Sequence, residues 1–213
     1  GEFTEGLDGE WRLWVVPRTA DGIYVIGGDP SQGTSGGAYA GIVAIDSKTG
    51  AQVLTARLSE CLPTDFARKL VATAKFLTGP RGFGYAKIVH ECTGIGGVVT
   101  TELRRLRYPN LWEEGTKIGL HNNHNGEPWL IELGRAIQDG EVFIKDDLIV
   151  ADLDLFEYDN TPAMNLDFAG TDGHGDVGMA AALCWWGAKS RRQAIVSAQK
   201  SPIIKQSPEQ EPK

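Results

Sequence analysis

The sequence predicts an α/β fold, with a mixed sheet of five strands or slightly more, flanked by helices. Three observations predict it: an opening series of strand-like segments, an alternation of short apolar runs with helical patterns after it, and an almost wholly apolar final helix. The opening strands are expected at 22–28, 38–45 and 52–58, and the turn residues of 46–50 join the last two as a hairpin. We therefore expect an antiparallel meander at the start of the sheet.

Helices and strands alternate through the middle of the chain. Five apolar side chains share one face of a helix predicted over 63–77, and Thr64 is placed to cap its start. The later elements are predicted as strand 86–90, helix 96–106, strand 108–112, helix 129–138, strand 142–144 and helix 146–156. Such alternation is typical of parallel strands joined by crossover helices.

Two irregular segments and the two ends complete the prediction. Residues 113–128 are rich in Gly, Asn and His and predict a loop, and 157–171 predict a hairpin before a last helix at 177–189. The composition beyond 192 is too polar to offset the entropy of ordering. The predicted division is a linker or edge segment at 1–21, one domain at 22–192 and a disordered tail at 193–213.

Composition and motifs argue against several classes of protein. No apolar run approaches the roughly 20 residues of a bilayer span, so no membrane contact is expected. Three widely spaced cysteines fit neither a disulfide framework nor a zinc ribbon, which indicates a reducing compartment. The net charge of -7 argues against nonspecific coating of nucleic acid, so any DNA contact is expected at a local patch. No P-loop, dinucleotide-binding or GxSxG motif occurs.

Three acidic residues share one context, each at the end of an apolar element and near glycine. Asp29 ends the first strand, Glu91 ends the fourth, and Asp176 opens the last helix. If the first and fourth strands are neighbours, the three carboxylates converge at one edge, where mutual repulsion favours a divalent cation. Oxygen ligands suit Mg²⁺ or Mn²⁺, and two such ions about 3.5–4 Å apart assist hydrolysis of a phosphodiester. These residues predict metal-dependent cleavage of nucleic acid.

Each of these residues also has an ordinary structural explanation. An Asp after a strand commonly forms a turn or caps a helix. His174 is a candidate proton shuttle or phosphate contact, but a His before a helix is often a polar cap. Asp172 is a candidate further acid near the metals, although its glycine neighbours suit a plain turn equally well.

Basic residues that would contact DNA phosphates stand in two clusters. The candidates are Arg104, Arg105 and Arg107, at the end of the second crossover helix. A second cluster follows the last helix, at Lys189, Arg191 and Arg192. Either cluster also serves to complement the negative end of its helix dipole, and both explanations stay open.

The surroundings of the three acids resemble the motifs of a known family. The segments are YVIGGDPSQG at 24–33, IVHECTGIG at 88–96 and HGDVGMAAAL at 174–183. Together and in this order they are similar to the C-terminal nuclease domain of tailed-bacteriophage terminase large subunits, which has an RNase H/integrase-like fold. The resemblance runs from about residue 23 to residue 187. Two departures stand out, since the family's doubled acid is Gly175-Asp176 here and Cys92 and Thr93 replace a common Asn.

The resemblance implies a function as well as a fold. It implies a divalent-metal-dependent endonuclease that cuts concatemeric viral DNA during genome packaging by a two-metal mechanism. Asp29, Glu91 and Asp176 would be the catalytic metal ligands. Its substrate would be double-stranded DNA in the host cytoplasm, and its partners in a full-length protein an ATPase motor domain, the portal and the small terminase subunit. Because no motor motif occurs in these residues, we expect an isolated domain.

Other functions remain open at this point. A nuclease that acts on branched DNA, like a Holliday-junction resolvase, is the nearest alternative, because the same fold serves both. A non-catalytic docking module for the portal or the motor is another. An actin-like phosphotransferase would need a second Gly-rich phosphate loop and about twice the length.

Overall fold

The core of the protein is a mixed five-stranded sheet. The computed structural model describes residues 9–18, 21–79, 82, 84–121, 127–158, 166–168 and 175–200. The strands are β1 Trp11–Leu13, β2 Tyr24–Asp29, β3 Ala40–Asp46, β4 Ala51–Leu58 and β5 Lys87–His90. Their order across the sheet is β1-β4-β3-β2-β5. β2, β3 and β4 form the predicted antiparallel meander, and β5 is parallel to β2.

Helices cover both faces of this sheet, as the predicted fold class requires. They are α1 Pro63–Thr78, α2 Gly96–Arg105, α3 Glu127–Gln138, α4 Asp147–Asp154 and α5 Asp176–Lys200. Two short hairpins lie outside the main sheet, formed by β6 Glu113–Glu114 with β7 Lys117–Ile118 and by β8 Phe156–Tyr158 with β9 Leu166–Phe168. The hairpin of β8 and β9 confirms the predicted excursion before the last helix.

Two apolar cores follow from the alternation of side chains along the strands. In β2, Tyr24 and Ile26 face the core that contains α1 and α2, whereas Val25 faces α5. Gly27 also faces α5, and a Cβ there would lie 1.9 Å from the carbonyl oxygen of Ala180. The absence of a side chain at Gly27 therefore allows α5 to pack directly on the middle of the sheet.

Two predicted strands are shorter in the structure. The segment predicted over 108–112 pairs with the sheet through a single bridge, Ile88 with Leu111. Pro109 lies within it and has no N–H to donate to a ladder. The segment predicted over 142–144 likewise contributes only the bridge between Ala51 and Phe143.

The start of α1 also differs from the prediction. Leu62 is the N-cap residue, and no side chain caps the helix, so the predicted role of Thr64 was wrong. Pro63 occupies the first turn instead, where the missing N–H of proline leaves one fewer donor to satisfy.

The last helix is longer than the sequence pattern predicts. It begins at Asp176 and continues to Lys200, so the predicted end at Lys189 was wrong. Residues 193–200, which the composition assigns to the tail, continue the helix, because their Gln, Ala and Lys are good helix formers. Residues 201–213 lie outside the described part, and so do 122–126 of the predicted loop. Among the described helices, none is both long and apolar enough to cross a bilayer.

Candidate active site

Asp29 and Glu91 leave the sheet at the same edge. Asp29 is the last residue of β2, and Glu91 directly follows β5, which lies parallel to β2 with Gly28 opposite His90. The backbone N–H of Glu91 donates to the carbonyl of Gly28 at 3.1 Å. The two carboxyl groups lie close enough together to interact. Because two carboxylates have no donor between them, the pair is unfavourable while both groups are ionised.

Asp176 reaches the same edge from the helix layer. It is the first residue of α5, and the start of this helix lies on Gly41, which pairs with Asp29 across β3 and β2. A Cβ on Gly41 would come within 2.3 Å of the carbonyl oxygen of Asp176. The N–H of Tyr39 donates to Oδ2 of Asp176 at 3.1 Å and holds the side chain. The structure thus brings together the three predicted acids.

The three carboxyl groups are electrostatically unfavourable as anions. Burial, followed by the charges of Glu91 and Asp176, raises the pKa of Asp29 well above its ordinary value. Burial also raises the pKa of Glu91. For Asp176, burial and the charge of Asp152 raise the pKa to about 7. A site of this kind gains free energy from any positive charge that enters it.

The donor set fits a divalent cation, although its side chains are not arranged around one. Within the described ranges, no group of three His, Cys, Asp or Glu side chains stands close enough together to hold a metal ion. The carboxyl group of Asp176 instead accepts a hydrogen bond from the backbone N–H of Tyr39. All the converging donors are carboxylate oxygens, which Mg²⁺ and Mn²⁺ prefer. Binding would require the side chains to turn toward the cation.

Asp152 is a residue of the site that the sequence reasoning missed. It is buried on α4, and its Oδ2 accepts hydrogen bonds from the N–H groups of Val177 at 2.9 Å and Gly178 at 3.0 Å. Asp152 therefore caps α5 from another element and holds the helix turn that begins with Asp176. A signal existed in the sequence, because Asp152 follows the buried Ile149 by three residues on the apolar face of α4.

The departures from the family motifs have local explanations. The Thr93 side chain is hydrogen-bonded to Glu91, so a hydroxyl supports this acid two residues away. The thiol of Cys92 donates to the carbonyl of Leu120 at 3.2 Å. Gly175, at the position of the family's first acid, has a φ of 54°, which is strained for most residues with a side chain.

The remaining predicted site residues either lie away from the three carboxylates or fall outside the residues that the structure describes. His174 and Asp172 are outside the described residues. The three candidate arginines are exposed at the far end of α2, a helix that starts beside Glu91 and is about 15 Å long. Arg105 is also paired with Glu102 at 2.6 Å. The structure does not bring these arginines together with the carboxylates, and their contact with DNA stays a prediction.

The second basic cluster is occupied by local contacts. Lys189 lies 3.5 Å from Glu132 and 3.6 Å from the centre of the Trp186 ring. Arg191 donates to the carbonyl of Tyr85 and Arg192 to that of Lys48, each at 3.4 Å. The cluster lies within α5, which continues to Lys200, so it does not complement the end of the helix dipole and instead contacts neighbouring elements.

Solved structures similar to this chain come from terminases of phages. No protein-family model and no curated protein matches the sequence. The large terminase nuclease of thermophilic phage G20c with bound magnesium superposes with a TM-score of 0.68 at 23% identity, over 85% of this chain and 89% of that one. The nuclease domain of the Thermus phage P74-26 large terminase gives 0.63 at 23% identity, over 83% and 85%. The G20c nuclease with bound zinc gives 0.61 at 21% identity, over 85% and 90%.

Likeness at this level of identity establishes architecture. The mixed five-stranded sheet and the helices on both of its faces are consistent with an RNase H-like fold. The resemblance that the three motifs indicate is therefore confirmed in the fold. This chain has the RNase H-like fold of the nuclease domains of phage large terminases.

Proposed function

We propose that the chain is a divalent-metal-dependent endodeoxyribonuclease, which hydrolyses phosphodiester bonds of concatemeric viral DNA during genome packaging. One observation carries the proposal: Asp29, Glu91 and Asp176 converge at one sheet edge, in the fold of the large terminase nucleases. Solved structures of the G20c nuclease contain magnesium, cobalt or zinc. The convergence of the acids and the likeness in fold favour the same chemistry.

Magnesium or manganese is the proposed cofactor, held by the carboxylates of Asp29, Glu91 and Asp176 as a two-metal site. Oxygen-only donors and the raised pKa values of these acids support a hard cation. When bound, two such ions lower the pKa of a water and offset the charge on the leaving oxygen of a phosphodiester.

The residues of the chain itself orient these acids. Thr93 holds the side chain of Glu91, and the N–H of Tyr39 holds that of Asp176. Asp152 caps the helix that carries Asp176, so this acid stands on a rigid element. Rigid support of this kind is what a catalytic geometry requires, because an error of about 1 Å in position costs much of the rate.

The biological setting is proposed from the likeness in fold. The substrate would be double-stranded DNA in the cytoplasm of the host. In a full-length protein the partners would be an ATPase motor domain, the portal and the small terminase subunit. The domain would then cut the DNA that the motor translocates.

Cleavage of supercoiled plasmid tests this proposal. Nicked and linear products are measured with Mg²⁺, Mn²⁺ or EDTA for the wild type, Asp29→Asn and Asp176→Asn. Asp139→Asn, at an exposed carboxylate after α3, is the matched control. We expect cutting that depends on the metal, falls about 100-fold or more in the two site variants and is unchanged in the control.

Other outcomes would identify a different function. No cutting by the wild type with any of the metals would contradict the nuclease and favour a docking module. Cutting that survives both substitutions would place the active site elsewhere. A four-way junction cut much faster than a linear duplex would favour an enzyme that resembles a Holliday-junction resolvase.

A further inference from the structure

A single row of residues crosses the sheet beside the carboxylates. In the register of the strands, Asp29 on β2 pairs with Gly41 on β3, and Gly41 pairs with Arg57 on β4. Side chains in one such row point to the same face of a sheet. Arg57 therefore stands on the face that carries Asp29, about 10 Å away across two strand spacings. The start of α5, with Asp176, lies between them on Gly41.

Tyr39 holds the guanidinium of Arg57 in a defined position. The group lies over the Tyr39 ring, 4.1 Å from its centre. The backbone N–H of the same tyrosine donates to Asp176. Tyr39 thus connects the arginine to the acid, with its ring under one and its backbone bonded to the other. The side chain of Arg57 is half-buried, so part of its surface is open to solvent.

The guanidinium of Arg57 has an unused hydrogen-bond donor among the residues that the structure describes. Its Nε is buried and has no hydrogen-bond partner in the part of the chain that the structure describes. No described carboxylate forms an ion pair with Arg57 within 4.0 Å. An arginine whose only task was to neutralise a neighbouring acid would be expected to form such a pair. A planar guanidinium that rests on an aromatic ring instead keeps its in-plane donors free for a planar or tetrahedral oxyanion.

The negative charge around the carboxylates explains why a nuclease would need a positive group such as Arg57 beside them. The chain has a net charge of -7, and Asp29, Glu91, Asp152 and Asp176 all contribute negative potential to the site. A DNA backbone that approaches these acids is repelled unless positive charge stands close to them. Most contacts that fix the position of a DNA strand go to phosphates, and arginine is a preferred donor.

We propose that Arg57, held on the ring of Tyr39, binds a backbone phosphate of the DNA strand that is cut, next to the phosphate at the cleavage position. This inference rests on the proposed nuclease function and adds the residue that positions the substrate. Arg57 binds the phosphate through its fork of N–H donors, and Asp176 stands between that phosphate and Asp29. The strand thus crosses the sheet edge along the row from Arg57 to Asp29.

DNA binding without cleavage tests the inference. The fluorescence anisotropy of a labelled DNA duplex is measured with Ca²⁺ and protein that carries Asp176→Asn. This substitution removes the proposed cleavage, and it also removes the acid that Arg57 could neutralise. Arg57→Ala, Arg57→Lys and Lys48→Ala are compared in that background. Lys48 is the matched control, an exposed basic residue at the opposite end of the same hairpin.

We expect Arg57→Ala to weaken binding about tenfold or more and to reduce the salt dependence of log K by about one phosphate contact. Arg57→Lys keeps the charge but loses the forked N–H donors, so its affinity for DNA is expected to lie between that of the parent and that of Arg57→Ala. Lys48→Ala should bind like its parent. Thermal unfolding of each variant shows whether it is folded, and if Arg57→Ala is not, Arg57→Lys decides.

Two results would overturn the inference in different ways. If the parent binds DNA and the Arg57 variants bind it with the same affinity and salt dependence as Lys48→Ala, the inference fails while the proposed function stands. If the parent does not bind DNA and the wild type does not cut plasmid, the inference and the proposed function fail together.

Discussion

Asp29 and Glu91 stand side by side at the ends of two adjacent parallel strands, where the backbone N–H of Glu91 donates to the carbonyl of Gly28 at 3.1 Å. β2 and β5 are far apart in the chain, and only their parallel pairing brings the two acids together. Burial raises the pKa of both carboxyl groups, and the charge of Glu91 adds to the effect at Asp29, so the pair is unfavourable as two anions. We therefore expect the stability of the folded chain to depend on both pH and divalent cations.

Divalent cations should stabilise the folded chain. A ligand that binds the folded state at 100 times its Kd adds about 2.7 kcal/mol, which corresponds to a rise of roughly 5–10 °C in Tm for a domain of this size. We expect saturating Mn²⁺ to produce such a rise in a thermal melt of the wild type. The rise should be much smaller for Asp29→Asn and unchanged for Asp139→Asn, and equal shifts in all three would show that the metal binds elsewhere.

The stability of the metal-free protein should fall as the pH rises. The pKa of Asp176 is about 7, above the ordinary value of 3.8, because of burial and the charge of Asp152. The folded chain therefore binds more protons at this group than the unfolded chain between these values, and stability is lost progressively as the pH rises from 3.8 to about 7. The loss between about pH 5 and pH 7 is on the order of 2–3 kcal/mol.

Thermal or denaturant unfolding in EDTA between about pH 5 and pH 8 measures this effect. Asp176→Asn cannot lose a proton here, so its unfolding free energy should depend less on pH than that of the wild type. The same pH dependence in both proteins would show that other groups are responsible.

Removal of the Asp152 cap should displace Asp176. Asp152→Ala leaves the N–H groups of Val177 and Gly178 without their acceptor and is expected to cost about 1–2 kcal/mol of stability. Asp152→Asn keeps an acceptor oxygen and should be milder. If Asp152 positions Asp176, the alanine variant will also need more Mn²⁺ for half-maximal cleavage, about tenfold or more. An unchanged metal requirement at reduced stability would leave Asp152 only a structural role.

Gly41 should not tolerate a side chain. A Cβ at this position would lie 2.3 Å from the backbone oxygen of Asp176, so Gly41→Ala must move the start of α5. We expect a loss of about 1–3 kcal/mol in stability together with most of the cleavage. Gly134→Ala is the matched control, because Gly134 lies within α3 with open space around it, and there alanine should stabilise slightly. Normal cleavage by Gly41→Ala would contradict the close approach.

The three acids could be predicted from sequence because each has a local signature. Asp29 ends an apolar strand that terminates in glycines, and Asp176 opens an apolar helix. The adjacency of the two strands was only a condition of the prediction, because the crossover helix α1 allows β5 to pair in parallel but does not decide which strand of the meander it joins.

The residues that support the acids could not be predicted in this way. The place of Asp152 on the apolar face of α4 marks it as unusual, but nothing near it in the sequence shows that it binds the N–H groups of Val177 and Gly178. Arg57 and Asp29 share a row only through the register of three strands, which hydrophobic alternation alone does not determine. The length of the strand predicted over 108–112 was similarly overestimated, because its apolar pattern does not reveal how far pairing with the sheet extends beyond the bridge at Leu111.

The most direct test of the central claim is the rate of plasmid cleavage by Glu91→Gln at saturating Mn²⁺. Glutamine has nearly the same shape as Glu91 and keeps hydrogen bonds to Asp29 and Thr93 available, so the fold should persist while one anionic ligand is lost. We expect the variant to be folded, as judged by its thermal melt, and to cut plasmid at least about 100-fold more slowly than the wild type. Cutting within about threefold of the wild-type rate would contradict a metal-dependent nuclease site at these two strand ends.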